Sequence, residues 1–302
     1  MENNNRLLFI LNPVSGKGKA GASQEEVTRI FENGGWQVDA VRTKCRGHAR
    51  SIVEECGADY DMVLCCGGDG TFHETLAGIM TMEKRPLMAY IPSGTTNDFA
   101  YNLSIPRDPV QAAEAILHGE PFPCDVGGFN DEYFSYTAAC GLFTNVTYET
   151  SQDMKNLFGK TAYIIEGIKN LANITPRRLI LSSDNFVYDE EFLFGMASNS
   201  YSIAGMRGLP GRSVAMDDGL LEVVFVKNTT NPVILGEVAQ KLLSGKPYHE
   251  YIVSFKTKEL RIESPTLAPW TLDGEYGGSP SKIVIKALHK AITVMRPAQA
   301  RH

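Results

Sequence analysis

Residues Gly67-Gly68-Asp69-Gly70-Thr71 set one carboxylate among three glycines. They follow the apolar run at 62–66, short enough for a buried strand, and precede apolar residues at helical spacing, Phe72, Leu76, Ile79 and Met80. Glycine lets the chain turn sharply and lets a ligand approach the main chain. A helix start offers N–H groups to an anion. A carboxylate repels bare phosphate, so its place here points to a nucleotide phosphate site in which a magnesium ion lies between the two. Two more apolar runs end the same way. Residues 7–11 lead into Asn12-Pro13-Val14-Ser15-Gly16-Lys17-Gly18, and 87–91 into Pro92-Ser93-Gly94-Thr95-Thr96-Asn97-Asp98-Phe99. In a parallel sheet such loops converge at the carboxyl ends of the strands. Late in the chain, Leu272-Asp273-Gly274-Glu275-Tyr276 sets two carboxylates around a glycine. Phosphoryl transfer to a hydroxyl needs positioned phosphates, charge neutralisation and a proton acceptor, and a carboxylate pair can provide the last. A plain hairpin turn is the alternative there, since Asp-Gly favours turns.

The elements that must hold these loops divide the chain in two. Up to about Gly127 strand and helix alternate: strands at 7–11, 36–41, 62–66 and 87–91, helices at 23–33, 47–56, 72–80 and 108–118. Alternation predicts βαβ units and a parallel sheet. Beyond Gly128 short β-type runs recur at 133–138, 179–181, 191–197, 220–226, 251–255, 259–263, 282–286 and 291–296, with helices at 159–172 and 231–244. The fold class is therefore an α/β N-terminal domain with a parallel sheet, residues 1–127, and a mostly antiparallel β-sandwich domain, 128–290.

Composition bounds the function. At 302 residues and 43% hydrophobic, the chain has material for one large or two ordinary cores. The net charge of −6 argues against general nucleic-acid binding. Six cysteines show neither CxxC nor metal-ligand spacing, which suits a reduced cytoplasmic setting. No run approaches the roughly 20 apolar residues of a membrane helix.

These motifs, in this order, resemble the bacterial diacylglycerol kinases and the wider lipid kinase family of sphingosine and ceramide kinases. The likeness covers nearly the whole chain: Asn12-Pro13-x-Ser15-Gly16, Gly67-Gly68-Asp69-Gly70-Thr71, Gly94-Thr95-x-Asn97-Asp98-Phe99, Asp217-Asp218-Gly219 and Asp273-Gly274-Glu275-Tyr276. It implies a nucleotide domain and a β-sandwich domain with a cleft between them, and a tail, 291–302, that returns to the first. It implies ATP and magnesium as cofactors. Asn12, Ser15, Gly16, Thr43, Gly67, Gly68, Gly70, Thr71, Glu74 and Thr95 would belong to the ATP pocket, and Asp69, Lys17, Asp98 and Asp125 to a polar network around the metal. Glu275 would be the general base, with Asp273 assisting near the metal. The Asp218 side chain and the carbonyls of Ala215 and Leu220 would hold a second, structural magnesium. The substrate would be diacylglycerol, a membrane lipid reached peripherally by a cytoplasmic protein, and the resemblance allows a homodimer.

One position departs from the family. His73 stands where the pattern after Gly-Gly-Asp-Gly-Thr carries x-Asn-Glu, with Glu74 kept. Residues 151–178 carry five bases and two acids beside Phe158, Tyr163, Ile164, Ile168 and Leu171, a composition suited either to an anionic lipid surface or to an ordinary core helix. Two other functions share parts of the pattern. Gly16-Lys17-Gly18-Lys19-Ala20-Gly21 satisfies GxGxxG, with Asp39 at the end of the second strand, as in dinucleotide-binding enzymes. NAD kinase shares Gly-Gly-Asp-Gly, but the Asn-Pro-x-Ser-Gly and Gly-Thr-x-Asn-Asp-Phe blocks weigh against it. A lipid-binding protein with little catalysis is the third reading, opposed by retention of Asp69, Asp218, Asp273 and Glu275.

Overall fold

The structure is a computed structural model that describes residues 5–141, 175–183, 186–203, 205–207, 209–211 and 213–298. The first part is built on four parallel strands, β1 (Asn5–Leu11), β2 (Trp36–Arg42), β3 (Met62–Gly67) and β4 (Leu87–Pro92), in the order β4-β3-β1-β2. Every residue of β3 is buried, as are Leu7 to Leu11 of β1. Burial on both faces is why these strands read as continuous apolar runs rather than alternating ones. The register sets Leu11 beside Cys66 and Gly67 beside Pro92, so the three glycine-rich loops leave the sheet side by side. Helices α1 (Lys19–Ala22), α2 (Gln24–Asn33), α3 (His48–Cys56), α4 (Asp69–Met80), α5 (Asp98–Asn102) and α6 (Pro109–Leu117) cover the sheet. The start of α6 shows local coding: Pro109 at its first turn and Asp108 accepting from the amides of Val110 and Gln111.

The second part is antiparallel. It comprises β5 (Glu120–Phe129), β6 (Glu132–Phe134), β7 (Thr137–Cys140), β8 (Arg177–Ser183), β9 (Phe186–Ser198), β10 (Ser202–Ile203), β11 (Met206–Arg207), β12 (Leu221–Lys227), helix α7 (Pro232–Leu243), β13 (Ile252–Thr257), β14 (Glu259–Glu263), β15 (Trp270–Leu272), β16 (Glu275–Tyr276) and β17 (Lys282–Arg296). Strand β12 is buried on both faces. Val223 and Phe225 join one core, Val224 and Val226 another beside Val238 of α7. The helix expected at 159–172 and most of the basic stretch 151–178 lie outside the described residues.

Two expectations are corrected. The runs at 282–286 and 291–296 form a single strand, β17, with a register irregularity against β5 between Leu288 and Ile292 and Lys290 at φ 49°. The irregularity lets one strand serve two cores, since a bulge bends and twists the chain. Ile283 and Ile285 pack in the second part, Ile292 and Val294 in the first, where Val294 pairs with Met88 of β4. In consequence the two parts do not hold separate sheets, because one hydrogen-bonded ladder runs from β16 through β17 to β2. Gly127, where the boundary was expected, lies inside β5.

Candidate active site

Short hydrogen bonds tie the three loops together. The Asn12 amide donates from Nδ2 to Thr71 Oγ1 at 3.1 Å, and the Ser93 hydroxyl donates to Ser15 Oγ at 2.9 Å. The backbone amides of Asn12 and Ser93 donate to the carbonyls of Cys66 and Gly67 at 2.9 and 2.8 Å. Asn97 takes the left-handed conformation, φ 53°, and its Oδ1 accepts from the Gly94 amide at 2.8 Å. The loops meet where only glycine fits: a Cβ on Gly94 would stand 2.7 Å from the Cα of Gly68. Beside them opens a cavity of about 470 Å³, lined by Asn12, Ser15, Thr43, Arg46, Gly68, Gly70, Thr71 and Glu74 among others. Gly67 is buried behind it, Gly16 turns at φ 63°, and Thr95 is exposed in the third loop. Lys17 belongs to the turn Ser15–Gly18, with its side chain outside the described part.

Asp69 opens α4 at the centre of this arrangement. Its Oδ2 accepts from Thr96 Oγ1 and from the Asn97 amide, each at 2.9 Å, while buried Oδ1 has no protein partner. Burial, then the nearby Asp98 carboxylate, pushes its pKa up to about 6 against the pull of Thr96 and Asn97. A carboxylate with one oxygen fixed and the other unsatisfied is strained in charge until a cation or its water meets it. This donor set fits a magnesium ion held through few protein ligands.

The other expected carboxylates are engaged elsewhere. Asp98 Oδ1 accepts from Ser202 Oγ at 2.7 Å and from the Gly205 amide at 3.0 Å. Asp125 accepts from the amides of Gly219 and Lys290, each at 2.6 Å, and meets His289 Nδ1 at 3.0 Å. It fastens the loop before β12 to the irregular middle of β17. Glu74 accepts from the amides of Gly47 and Ala49 at 2.7 and 3.2 Å, holding the start of α3 and the loop that lines the cavity. Asp218 Oδ1 accepts from the Leu220 amide, and Oδ2 lies 3.2 Å from Lys256 Nζ. That ammonium also reaches the Ser213 carbonyl at 2.7 Å and buried Glu222 at 2.8 Å. Lysine thus occupies the carboxylate expected to serve a structural magnesium with the carbonyls of Ala215 and Leu220, and these residues do not fit a metal as they stand. Among the described residues no cluster of three or more His, Cys, Asp or Glu side chains is placed to hold a metal ion. Asp39, the acid a dinucleotide reading needs, is taken by Arg6 at 3.1 Å and the Tyr60 hydroxyl at 3.0 Å.

The turn between β15 and β16 brings the last pair. Asp273 is left-handed, φ 52°, and its side chain is fully buried. Its oxygens accept from the amides of Ser135, Tyr136 and Thr137 at 2.7, 2.9 and 3.0 Å and from Ser135 Oγ at 2.9 Å. So saturated, it anchors the turn. Glu275 is held differently. Its Oε1 lies 3.4 Å from where a Cβ on Gly70 would stand, and its Oε2 accepts from Arg46 at 2.5 Å. Sequence reasoning missed Arg46, one base in a polar stretch with nothing to distinguish it. It both lines the cavity and contacts Glu275.

Residues 6–129 match the Diacylglycerol kinase catalytic domain, and 139–296 match the YegS C-terminal NAD kinase beta sandwich-like domain. The Diacylglycerol kinase of Bacillus subtilis (strain 168) is 29% identical over 298 residues, covering 97% of each chain. That of Staphylococcus carnosus (strain TM300) is 34% identical over 279 residues, 90% of this chain and 89% of that one. The crystal structure of a putative diacylglycerol kinase from Bacillus anthracis str. Sterne superposes with a TM-score of 0.81 at 25% identity, covering 97% of both chains.

Proposed function

The chain belongs to the diacylglycerol kinase family of lipid kinases, and from that premise we propose that it transfers the γ-phosphate of ATP to the hydroxyl of diacylglycerol, with magnesium, to give phosphatidic acid. The observation that carries this reading is the approach of Glu275 to Gly70. It sets a carboxylate proton acceptor beside the first turn of the helix whose N-terminus faces the phosphate loops.

In this reading the loops after β1, β3 and β4 bind and orient the triphosphate through backbone amides and the side chains of Asn12, Ser15 and Thr71. Asp69 would hold magnesium, which supplies neutralisation of the phosphate charge during transfer. Asp273 fixes the turn, and Glu275 takes the proton from the lipid hydroxyl as it attacks. Arg46 lines the cavity and donates to Glu275 Oε2, so it would release that oxygen as it turns to the phosphate. Residues 1–127 handle the nucleotide and 128–290 the lipid, which the protein reaches peripherally from the cytoplasm. In support, no helix among the described residues is long and apolar enough to cross a membrane, and Tyr276, next to the base, is 70% exposed.

The test is phosphate transfer from labelled ATP to detergent-dispersed lipids, with NAD as a control acceptor. Label in diacylglycerol that depends on magnesium supports the reading. Label in NAD alone, or in no lipid, refutes it.

A further inference from the structure

The step from Asp69 to His73 is one helical turn, so both side chains project from the same face of α4. His73 Nδ1 lies 3.0 Å from Asp273 Oδ2. The histidine side chain is 17% exposed and the aspartate fully buried. Four other bonds to that carboxylate come from residues 135–137, which belong with the second part of the chain. His73 contributes from the opposite wall, on the helix that starts at the phosphate loops.

We propose that His73 is a positioning residue for phosphoryl transfer, docking the Asp273-Gly274-Glu275 turn onto α4 so that Glu275 sits against Gly70. The proposal rests on the reading of Glu275 as the base. Two contacts join the turn to α4 itself, His73 with Asp273 and Glu275 with the edge of Gly70, while Arg46 also donates to Glu275 from the loop before α3. Of the two contacts with α4, only the first is a hydrogen bond. The carboxylates that act on the ring are those of Asp273 and Glu275 on the turn and Glu132 on β6. Burial pulls the pKa of His73 down, but the bond to Asp273 and the charges of Asp273, Glu275 and Glu132 outweigh it, and the net direction is up. The field around the ring therefore favours a donor at this position.

The reach of the donor identifies a conservative replacement. Histidine Nδ1 and asparagine Nδ2 are both one bond beyond Cγ, so either residue can present a donor at the same reach from the helix. Alanine has no donor, and glutamine carries it one bond farther out.

The experiment compares His73→Ala and His73→Asn with the wild-type chain, by steady-state kinetics and by amide hydrogen exchange. A misplacement near 1 Å costs on the order of 100-fold, so His73→Ala should lower kcat by roughly 10- to 100-fold with KM for ATP within about twofold. His73→Asn should restore most of the loss. Exchange reads docking without catalysis. The Asp273 amide donates to Thr137 and the Gly277 amide to Trp270, both at 2.8 Å. In His73→Ala these amides should exchange about tenfold faster or more, while those of β1 and β3 stay as in wild type; in His73→Asn they should stay protected. Unchanged exchange at Asp273 and Gly277 in His73→Ala overturns the proposal. So does an asparagine variant as slow and as poorly protected as the alanine one. If the wild-type chain phosphorylates no lipid, the kinase reading fails, and the exchange measurement still decides the docking.

Discussion

Replacing Asp69 by asparagine should stabilise the protein while abolishing its activity. Asparagine keeps an oxygen for the Thr96 and Asn97 donors and loses the charge. In the folded chain Asp69 has its pKa pushed from the usual 3.8 up to about 6, first by burial and then by Asp98. A group whose folded pKa is raised contributes stability that is fully present below its unfolded pKa and is lost as pH rises through the folded value. At pH 7.5 the ionised form therefore costs about 3 kcal/mol, a cost near 2 kcal/mol once solvent reaching this partly exposed loop is allowed for. Asp69→Asn does not ionise and should recover it. The gain should fall to about half at pH 5 and fade toward pH 4. In magnesium-free thermal melts the variant should rise by roughly 3 °C at pH 7.5. Adding magnesium and ATP should raise the wild-type melting temperature, as a ligand that binds only the folded state must, and leave the variant nearly unmoved. Turnover of labelled ATP into lipid should be lost. A variant that melts no higher than wild type at pH 7.5, or whose advantage does not shrink between pH 7.5 and pH 5, would refute the argument.

Glu275→Gln should lower turnover by about 10²- to 10⁴-fold with nucleotide affinity retained, as single-turnover and equilibrium binding measurements can separate; a loss under about threefold removes Glu275 as the base. Arg46→Met should raise the ATP KM by roughly tenfold or more, since a charged hydrogen bond is worth about 1.5–3 kcal/mol, and an unchanged KM in initial-rate assays would leave Arg46 outside the phosphate site. Lys256→Met should destabilise by about 1 kcal/mol at pH 7.5, because Glu222, whose pKa burial already pushes up to about 7, loses its cation and must take a proton. The double variant with Glu222→Gln should recover most of that, and magnesium should shift the denaturation curves of both variants no less than that of the wild type, since Asp69 is untouched.

The three glycine-rich loops were legible because their signal is local. A short apolar run, a glycine-rich turn and a helical period fit within about fifteen residues, and the parallel register then brings them together without further instruction. The helix and strand pattern of the first part was legible for the same reason. Strand β17 was not: Lys286 to Lys290 interrupts the apolar alternation, and only pairing with β5 across an irregularity makes one strand of two. In the same way the two-part division was readable from texture, but texture could not show that β5 and β17 run through both parts.

The roles of the carboxylates divide along a different line. The acidic residues were visible in the sequence, but the donors that consume them were not, because those arrive from far along the chain. His289 comes to Asp125 from 164 residues away, His73 to Asp273 from 200, and Arg46 to Glu275 from 229. Lys256 meets Asp218 from 38 residues on and takes over the position where a metal was expected. A carboxylate serves a ligand only to the extent that the fold leaves an oxygen unclaimed. By that measure Asp273 and Asp125 are fasteners and Glu275 is held by one exposed guanidinium. Asp69 keeps a buried oxygen with no protein donor, and its pKa is raised accordingly. The residue with the strongest motif thus keeps a buried oxygen that no described protein donor meets, and a bound cation would relieve the cost this carries at neutral pH.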